Sequence, residues 1–296
     1  SRARQARLKI TKPYRDEMEN KYQWCIAAVA GRNWAKKVFP KAASPAAAEE
    51  KLWEAILKCS RAYEGNPLAN WQAHNEELAA RCAYLNNLGL VSLEYRSSNG
   101  TDLKVGLMEQ GLFMGGGETT LAGVYFNPNI PSEECFTTPM RGQAEGIVYS
   151  TKPLSYQGKL IRNFSIRFEG GRAVEAHAAS GEAALKKMIS MDEGAAYLGE
   201  CALVPYDSPI SRSKTLFYNT LFDENASCHF ALGRGFTNCV RGYENYSDEQ
   251  LKAMGVNDSM IHVDFMIGTD DLNITGVTRS GERVPIFREG NWAFKA

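Results

Sequence analysis

The period of the apolar residues changes once along this 296-residue chain, near residue 90, and that change limits the architectures open to it. Before it, Leu52, Ile56, Cys59 and Tyr63 recur at helical spacing behind the start signal Ser44-Pro45, and Trp71, Leu78, Cys82 and Leu85 form a second stripe. Trp24 to Val29 reads as a short buried strand, and Asn33 as the cap of a helix running to Phe39. Strand, turn and helix in that order belong to α/β domains. After residue 90 a hairpin is expected over 91–95 and 103–108. Strands follow at 123–126, 146–150, 165–168, 173–178, 201–204, 261–267 and 284–287. Helices are expected over 181–191 and after Ser247. The length exceeds what one compact core needs. The expected fold class is therefore a two-domain α+β / α/β protein. Residues 1–95 are the C-terminal portion of a helix-rich α/β N-terminal domain, and 96–296 a strand-rich mixed α+β domain that carries the chemistry.

Charge removes several function classes. Lys plus Arg and Asp plus Glu number 34 each, so no net field recruits nucleic acid or an anionic membrane. No apolar run approaches the roughly 20 residues of a membrane span. The seven cysteines form no Cys-x-x-Cys pair, which excludes a recognisable thiolate zinc or redox motif and predicts free buried thiols in a reducing compartment. The basic segment 1–7 lacks the apolar stretch of a signal peptide. It reads as the charged face of a helix entered midway, so the chain is expected to begin inside a domain. Gly115-Gly116-Gly117 lacks the residues of a phosphate loop and is expected to be a flexible loop at the rim of an active site.

Four histidines are available for chemistry. His74, in Gln72-Ala73-His74-Asn75-Glu76, is expected on a helix surface, and His177 as a satisfied structural residue at a strand end. His262-Val263-Asp264 differs, because residues two apart on a strand share a face. An imidazole and a carboxylate then emerge together from an apolar strand. Spacing alone leaves two readings open: a hydrogen-bonded pair in a core, or a metal site. His229 closes a polar stretch, Asp223 to Ser227, embedded in apolar residues. Glu200 enters the apolar run Leu198 to Val204, and Glu133-Glu134 sits between Ile130 and Phe136. A carboxylate in such company is costly without a cation or a donor. Together these residues offer nitrogen and oxygen donors without thiolate, a set suited to Zn, Co or Mn.

The blocks around these residues are long and ordered: 129–137, 199–205, Ser208-Pro209-Ile210-Ser211, 219–226 and 262–268. In them the chain resembles the M29 metallo-aminopeptidases, the thermophilic metalloprotease family that includes aminopeptidases T and S. The resemblance covers nearly the whole chain and places Ser1 roughly a hundred residues into a family member. It implies two divalent ions per chain, held by Glu134, Glu200, His229, His262 and Asp264. It also implies a cytoplasmic homodimer that removes N-terminal residues from peptides with a free N-terminus. Glu134 and Glu200 are the candidates for proton transfer, and Glu145 is a substitute candidate nearby in sequence. One departure stands out. The family places a tyrosine where this chain has Phe236, and losing a hydroxyl donor to an oxyanion costs on the order of 10²–10³ in rate. Tyr243, Tyr246 and Arg234 are possible replacement donors. The rival reading is a catalytically impaired family member that binds peptide or serves in assembly.

Overall fold

The computed structural model describes Ile10, Thr11, Tyr14, Met18 and residues 21–295. The basic segment 1–7 lies outside the described residues. Ile10, Thr11, Tyr14 and Met18 are helical, and after them come α1 (Arg32–Val38), α2 (Pro45–Cys59) and α3 (Pro67–Asn87). The Ser44 hydroxyl accepts from the Ala47 amide and the Asn66 side chain from Leu68 and Ala69. With proline in each first turn, these caps fix the starts of α2 and α3. Leu52, Ile56 and Cys59, and Leu78, Cys82 and Leu85, are buried as their spacing predicts. The strand expected at 24–29 does not form. Ile26 makes an isolated parallel bridge to Asn129, and Trp24, Ile26 and Val29 stay exposed. The run is apolar enough for a strand, but it has no neighbouring strand to pair its backbone groups along its length.

The chain then turns to strands. The expected hairpin is β1 (Leu90–Arg96) and β2 (Asp102–Leu107). A small ribbon, β3 (Glu118–Thr119) and β4 (Tyr125–Phe126), precedes β5 (Cys135–Thr137), β6 (Pro139–Tyr149), β7 (Leu154–Tyr156), β8 (Lys159–Glu169) and β9 (Arg172–Ser180). After α4 (Glu182–Ile189) come β10 (Leu198–Leu203), the one-turn helices α5 (Pro209–Arg212) and α6 (Thr220–Asp223), and β11 (His229–Gly233). The chain ends with α7 (Asp248–Met254), β12 (His262–Met266), β13 (Asn273–Thr278), β14 (Arg283–Arg288) and β15 (Asn291–Trp292). Ser247 starts α7 with the expected cap, completed into a capping box by Gln250.

A nine-stranded antiparallel sheet runs β15-β14-β13-β1-β2-β6-β8-β7, with β9 also on β8. A second sheet, β12-β11-β10-β5, lies against it. Tyr95 meets Phe230 at 4.8 Å and Phe164 meets Phe265 at 5.7 Å, so the main core is the space between the two sheets. A second core joins α1 and α2 to Phe217, Phe222 and Ala226, on the segment that leads into β11. The fold is mixed α+β, as expected. No helix among the described residues is long and apolar enough to cross a membrane. His177 is exposed rather than structural, because it alternates with the buried Ala176 on β9. Six of the seven free cysteines are buried and Cys25 is exposed, which follows from the missing strand at 24–29.

Candidate metal centre

The two faces of the smaller sheet divide the work. Directly opposed residues of antiparallel strands share a face. Glu200 faces Ala231, which faces Asp264; Ala202 faces His229, which faces Met266; Gly233 faces His262. One face therefore gathers Glu200, His229, His262 and Asp264 around the small side chain of Ala231. The other face, with Cys201, Phe230, Leu232 and Phe265, belongs to the main core. Glu134 reaches the ligand face from the residue before β5. Gly115 allows that approach: a Cβ there would lie 2.3 Å from the Glu134 carbonyl oxygen. Within the triple glycine, Gly115 thus packs against a site residue. Gly199 serves in a similar way, since a Cβ would lie 2.3 Å from the Gly233 and Arg234 carbonyls beside Glu200.

Ligand atoms of Glu134, Glu200 and His229 lie within 4.8 Å of one another, as do those of Glu200, His262 and Asp264. Glu200 belongs to both groups. His229 Nε2 is 3.2 Å from Glu134 Oε2, and His262 Nε2 is 3.1 Å from both Glu200 Oε2 and Asp264 Oδ1. The far nitrogens are tied to backbone: His229 Nδ1 lies 3.2 Å from the Ser227 carbonyl and His262 Nδ1 2.7 Å from the Arg234 carbonyl. An Nδ1–H donating to a carbonyl leaves Nε2 free to coordinate, which is how metal-binding imidazoles are commonly oriented. Glu134 Oε2 and Asp264 Oδ1 are buried and, besides the imidazole nitrogens next to them, have no hydrogen-bond partner, the condition expected of oxygens meant for a cation. On these grounds the residues fit divalent metal.

The electrostatics agree. Burial pushes the Glu200 carboxyl up to about 7, with His262 opposing and Glu134 adding. Burial works to lower His229, yet Glu134 beside it, with Glu200 and Asp264, holds it at about 10. His262 is likewise raised well above its ordinary range against the pull of burial, by Asp264 and Glu200. Burial also works to raise Asp264, but His262 and His229 keep it low. Without a metal, then, protons on the imidazoles balance the carboxylates. Bound cations would take over that balance and require neutral imidazoles.

Residues that the sequence did not single out complete the surroundings. Burial, reinforced by the charges of Asp264 and Glu134, raises the Glu224 carboxyl well above its ordinary range; Glu224 lies outside both ligand groups. Its signal was the polar stretch before His229. Glu133 turns away from its neighbour to form a bidentate ion pair with Arg61, 2.8 Å from Nη2 to Oε2. His74 is buried, not on the surface as expected, because its Nε2 reaches the Ser132 carbonyl at 2.7 Å. Asn225 Oδ1 accepts from the Glu133 amide at 2.7 Å. Glu145 is not at the site: it is exposed and accepts from the Gly170 amide at 2.6 Å, across a hairpin of the larger sheet. Phe236 packs edge-on to Phe136 at 5.3 Å and against His262 at 4.9 Å, with its amide held by Thr138 at 2.7 Å. Tyr243 and Tyr246 pack on a satellite cluster with Val240 and Leu251.

Comparison with known proteins identifies the family. Residues 1–292 match the family described as thermophilic metalloprotease (M29). Aminopeptidase AmpS of Bacillus subtilis is 46% identical over 282 residues, 95% of this chain and 68% of that protein. Aminopeptidase T of Thermus aquaticus is 42% identical over 292 residues, 98% of this chain and 71% of that protein. The structure of wild-type AmpT from Thermus thermophilus superposes with a TM-score of 0.89 at 39% identity, covering 99% of this chain and 71% of the other. With the fold, the donor set and the sequence in agreement, the chain belongs to the thermophilic metalloprotease family, M29.

Proposed function

We propose that this metal-dependent aminopeptidase holds two divalent ions, one on Glu134, Glu200 and His229 and the other on Glu200, His262 and Asp264. The carrying observation is that Glu200 is common to both groups of ligand atoms, each within 4.8 Å. With ions bound, Glu200 would serve both of them. Nitrogen and oxygen donors without thiolate favour Zn, Co or Mn. Divalent ions supply Lewis acidity there, acidifying water and neutralising charge that develops on the scissile carbonyl oxygen. Glu134 and Glu200 are both engaged as ligands in this reading. Glu224, close enough to feel the charges of Asp264 and Glu134 but outside both ligand groups, is the carboxylate left over to accept a proton from the attacking water and return it to the leaving amine as the C–N bond breaks. The substrates are peptides with a free N-terminus, and the family resemblance carries with it a cytoplasmic homodimer.

The test is metal analysis joined to turnover of an aminoacyl anilide. About two ions per chain are expected, with activity lost on chelation and restored by Zn, Co or Mn. A folded protein that binds one ion, or none, sinks the two-ion reading. Absence of turnover with every metal supports the rival, an impaired peptide-binding member. Phe236→Tyr then decides whether that ring is the cause. A gain on the order of 10²–10³ in rate assigns the deficit to the missing hydroxyl.

A further inference from the structure

Residues 131–134, the segment that carries Glu134, belong to no helix or strand, yet all four are buried. Among the described residues the Glu134 carboxylate has no hydrogen-bond or ion-pair partner but His229, so its direction is inherited from its backbone. On the C-terminal side that backbone is fixed by pairing, since Cys135 opposes Leu203 across β5 and β10. On the N-terminal side three side chains hold it. His74 Nε2 donates to the Ser132 carbonyl at 2.7 Å, and the Glu133 amide donates to Asn225 Oδ1 at 2.7 Å. The third is Arg61, whose guanidinium grips the Glu133 carboxylate with both Nη atoms.

The first two contacts satisfy buried backbone groups, as any buried loop requires. The third satisfies none, and a buried ion pair adds little stability over apolar residues of the same shape. Arg61 also sits where arginine is disfavoured. It follows the cap residue Ser60 at the end of α2, with φ at 54°. The Arg61 amide donates to the Lys58 carbonyl at 3.2 Å and the Ala62 amide to the Leu57 carbonyl at 2.8 Å, the two bonds of a Schellman turn. Glycine is the usual residue at that position, because a Cβ strains the left-handed backbone. Asn70 secures the turn from α3, its Nδ2 donating to the Arg61 carbonyl at 3.0 Å. An arginine in glycine's usual place gains nothing locally. It gains the fork, two parallel bonds that fix the plane of the Glu133 carboxylate, which a single bond would leave free to turn. We propose that Arg61 and Glu133 are positioning residues for Glu134: the fork locks the turn before β5 in the orientation that presents Glu134 to the ion on His229. The inference rests on the reading of Glu134 as a metal ligand. It adds that α2 and α3, which supply no ligand themselves, set the affinity of that ion site.

The test titrates Zn into chelated protein by calorimetry. Glu134→Gln first marks the binding step that belongs to Glu134, as the one it removes. The main variant is Arg61→Gly with Glu133→Gln, which takes out both charges and gives the turn the residue its backbone prefers. Its ion-free melting temperature should equal or exceed the parent's. The marked step should weaken roughly tenfold to a hundredfold, as when a partner that orients a ligand is lost, while the other step keeps its affinity. Arg61→Lys keeps the charge without the fork and should weaken the marked step by less. In Arg61→Gly alone, added methylguanidinium can reach Glu133 through the open cavity of about 510 Å³ that Arg61 lines, and it should restore the marked step. With Glu133→Gln present as well, it should restore nothing. A lower ion-free melting temperature with the marked step unchanged overturns the proposal and leaves the pair a purely structural one. Equal weakening of both steps also overturns it, as general loosening. Should the double variant not fold, Arg61→Lys decides alone, and an unchanged marked step there overturns the proposal. If Glu134→Gln removes no step, the ligand reading itself fails and the proposal falls with it.

Discussion

Glu133 and Glu134 are adjacent, both buried, and committed to different partners. Glu134 turns to His229; Glu133 is locked by Arg61 while its amide donates to Asn225. Nothing in the local sequence separates them, because the distinction is made by Arg61 and Asn225, far away along the chain. His74 was illegible for the same reason. Its immediate neighbours are mostly polar, and the approach of Ser132, 58 residues on, completes its burial beside Trp71. Burial is the main cause that lowers the His74 pKa below its ordinary 6.5, with the nearby Glu133 opposing. The sign follows directly. A base with a depressed folded-state pKa binds protons more readily once unfolded, so stability is full above the unfolded value and is lost as pH falls below about 6.5. His74→Gln can still donate to Ser132 but cannot titrate. Its cost in urea unfolding should therefore be larger at pH 7.5 than at pH 5.5. An equal cost at both pH values would show that His74 carries no such linkage.

At the level of elements, the pattern His262-Val263-Asp264 was readable because a strand period of two is a local property. The sequence did not predict β11, whose five residues are all buried, so no polar alternation marks it as a strand. Its position between β10 and β12 is what brings Glu200 and Asp264 to either side of Ala231. The small residue at that point keeps the space between the two carboxylates open. Ala231→Val should thus close the ion site while leaving the sheet pairing intact. The added methyl groups meet a fully buried environment, at a cost of about 1–3 kcal/mol. The expected outcome is a folded protein with reduced metal content and anilide activity lowered in proportion. Full metal occupancy in a folded Ala231→Val protein would mean that the ions do not lie over this residue.

The ligands tie distant parts of the molecule together. Glu134 precedes β5, beside the helices; Glu200 is on β10, His229 on β11, and His262 and Asp264 on β12. Cations held by all of them, as proposed, would act as a cross-link that exists only in the folded state. Chelation is not expected to unfold the protein, because imidazolium protons on His229 and His262 partly offset the carboxylates in the ion-free form. It should instead lower the melting temperature. An ion at about 100 times its Kd adds about 2.7 kcal/mol per site. In a domain of this size, each kcal/mol moves Tm by roughly 2–4 °C. A rise of roughly 5–10 °C for the first site filled is expected on adding Zn, Co or Mn to chelated protein, at fixed pH and protein concentration. Mg, which prefers all-oxygen octahedral sites, should give a much smaller rise. Titrating the ion while following both Tm and anilide turnover separates two sites from one. Two sites of unequal affinity give a thermal rise in two stages, with turnover appearing at the stage that completes the pair. If Tm and turnover climb together and level off at one equivalent, a single ion suffices and Glu200 is not a bridge.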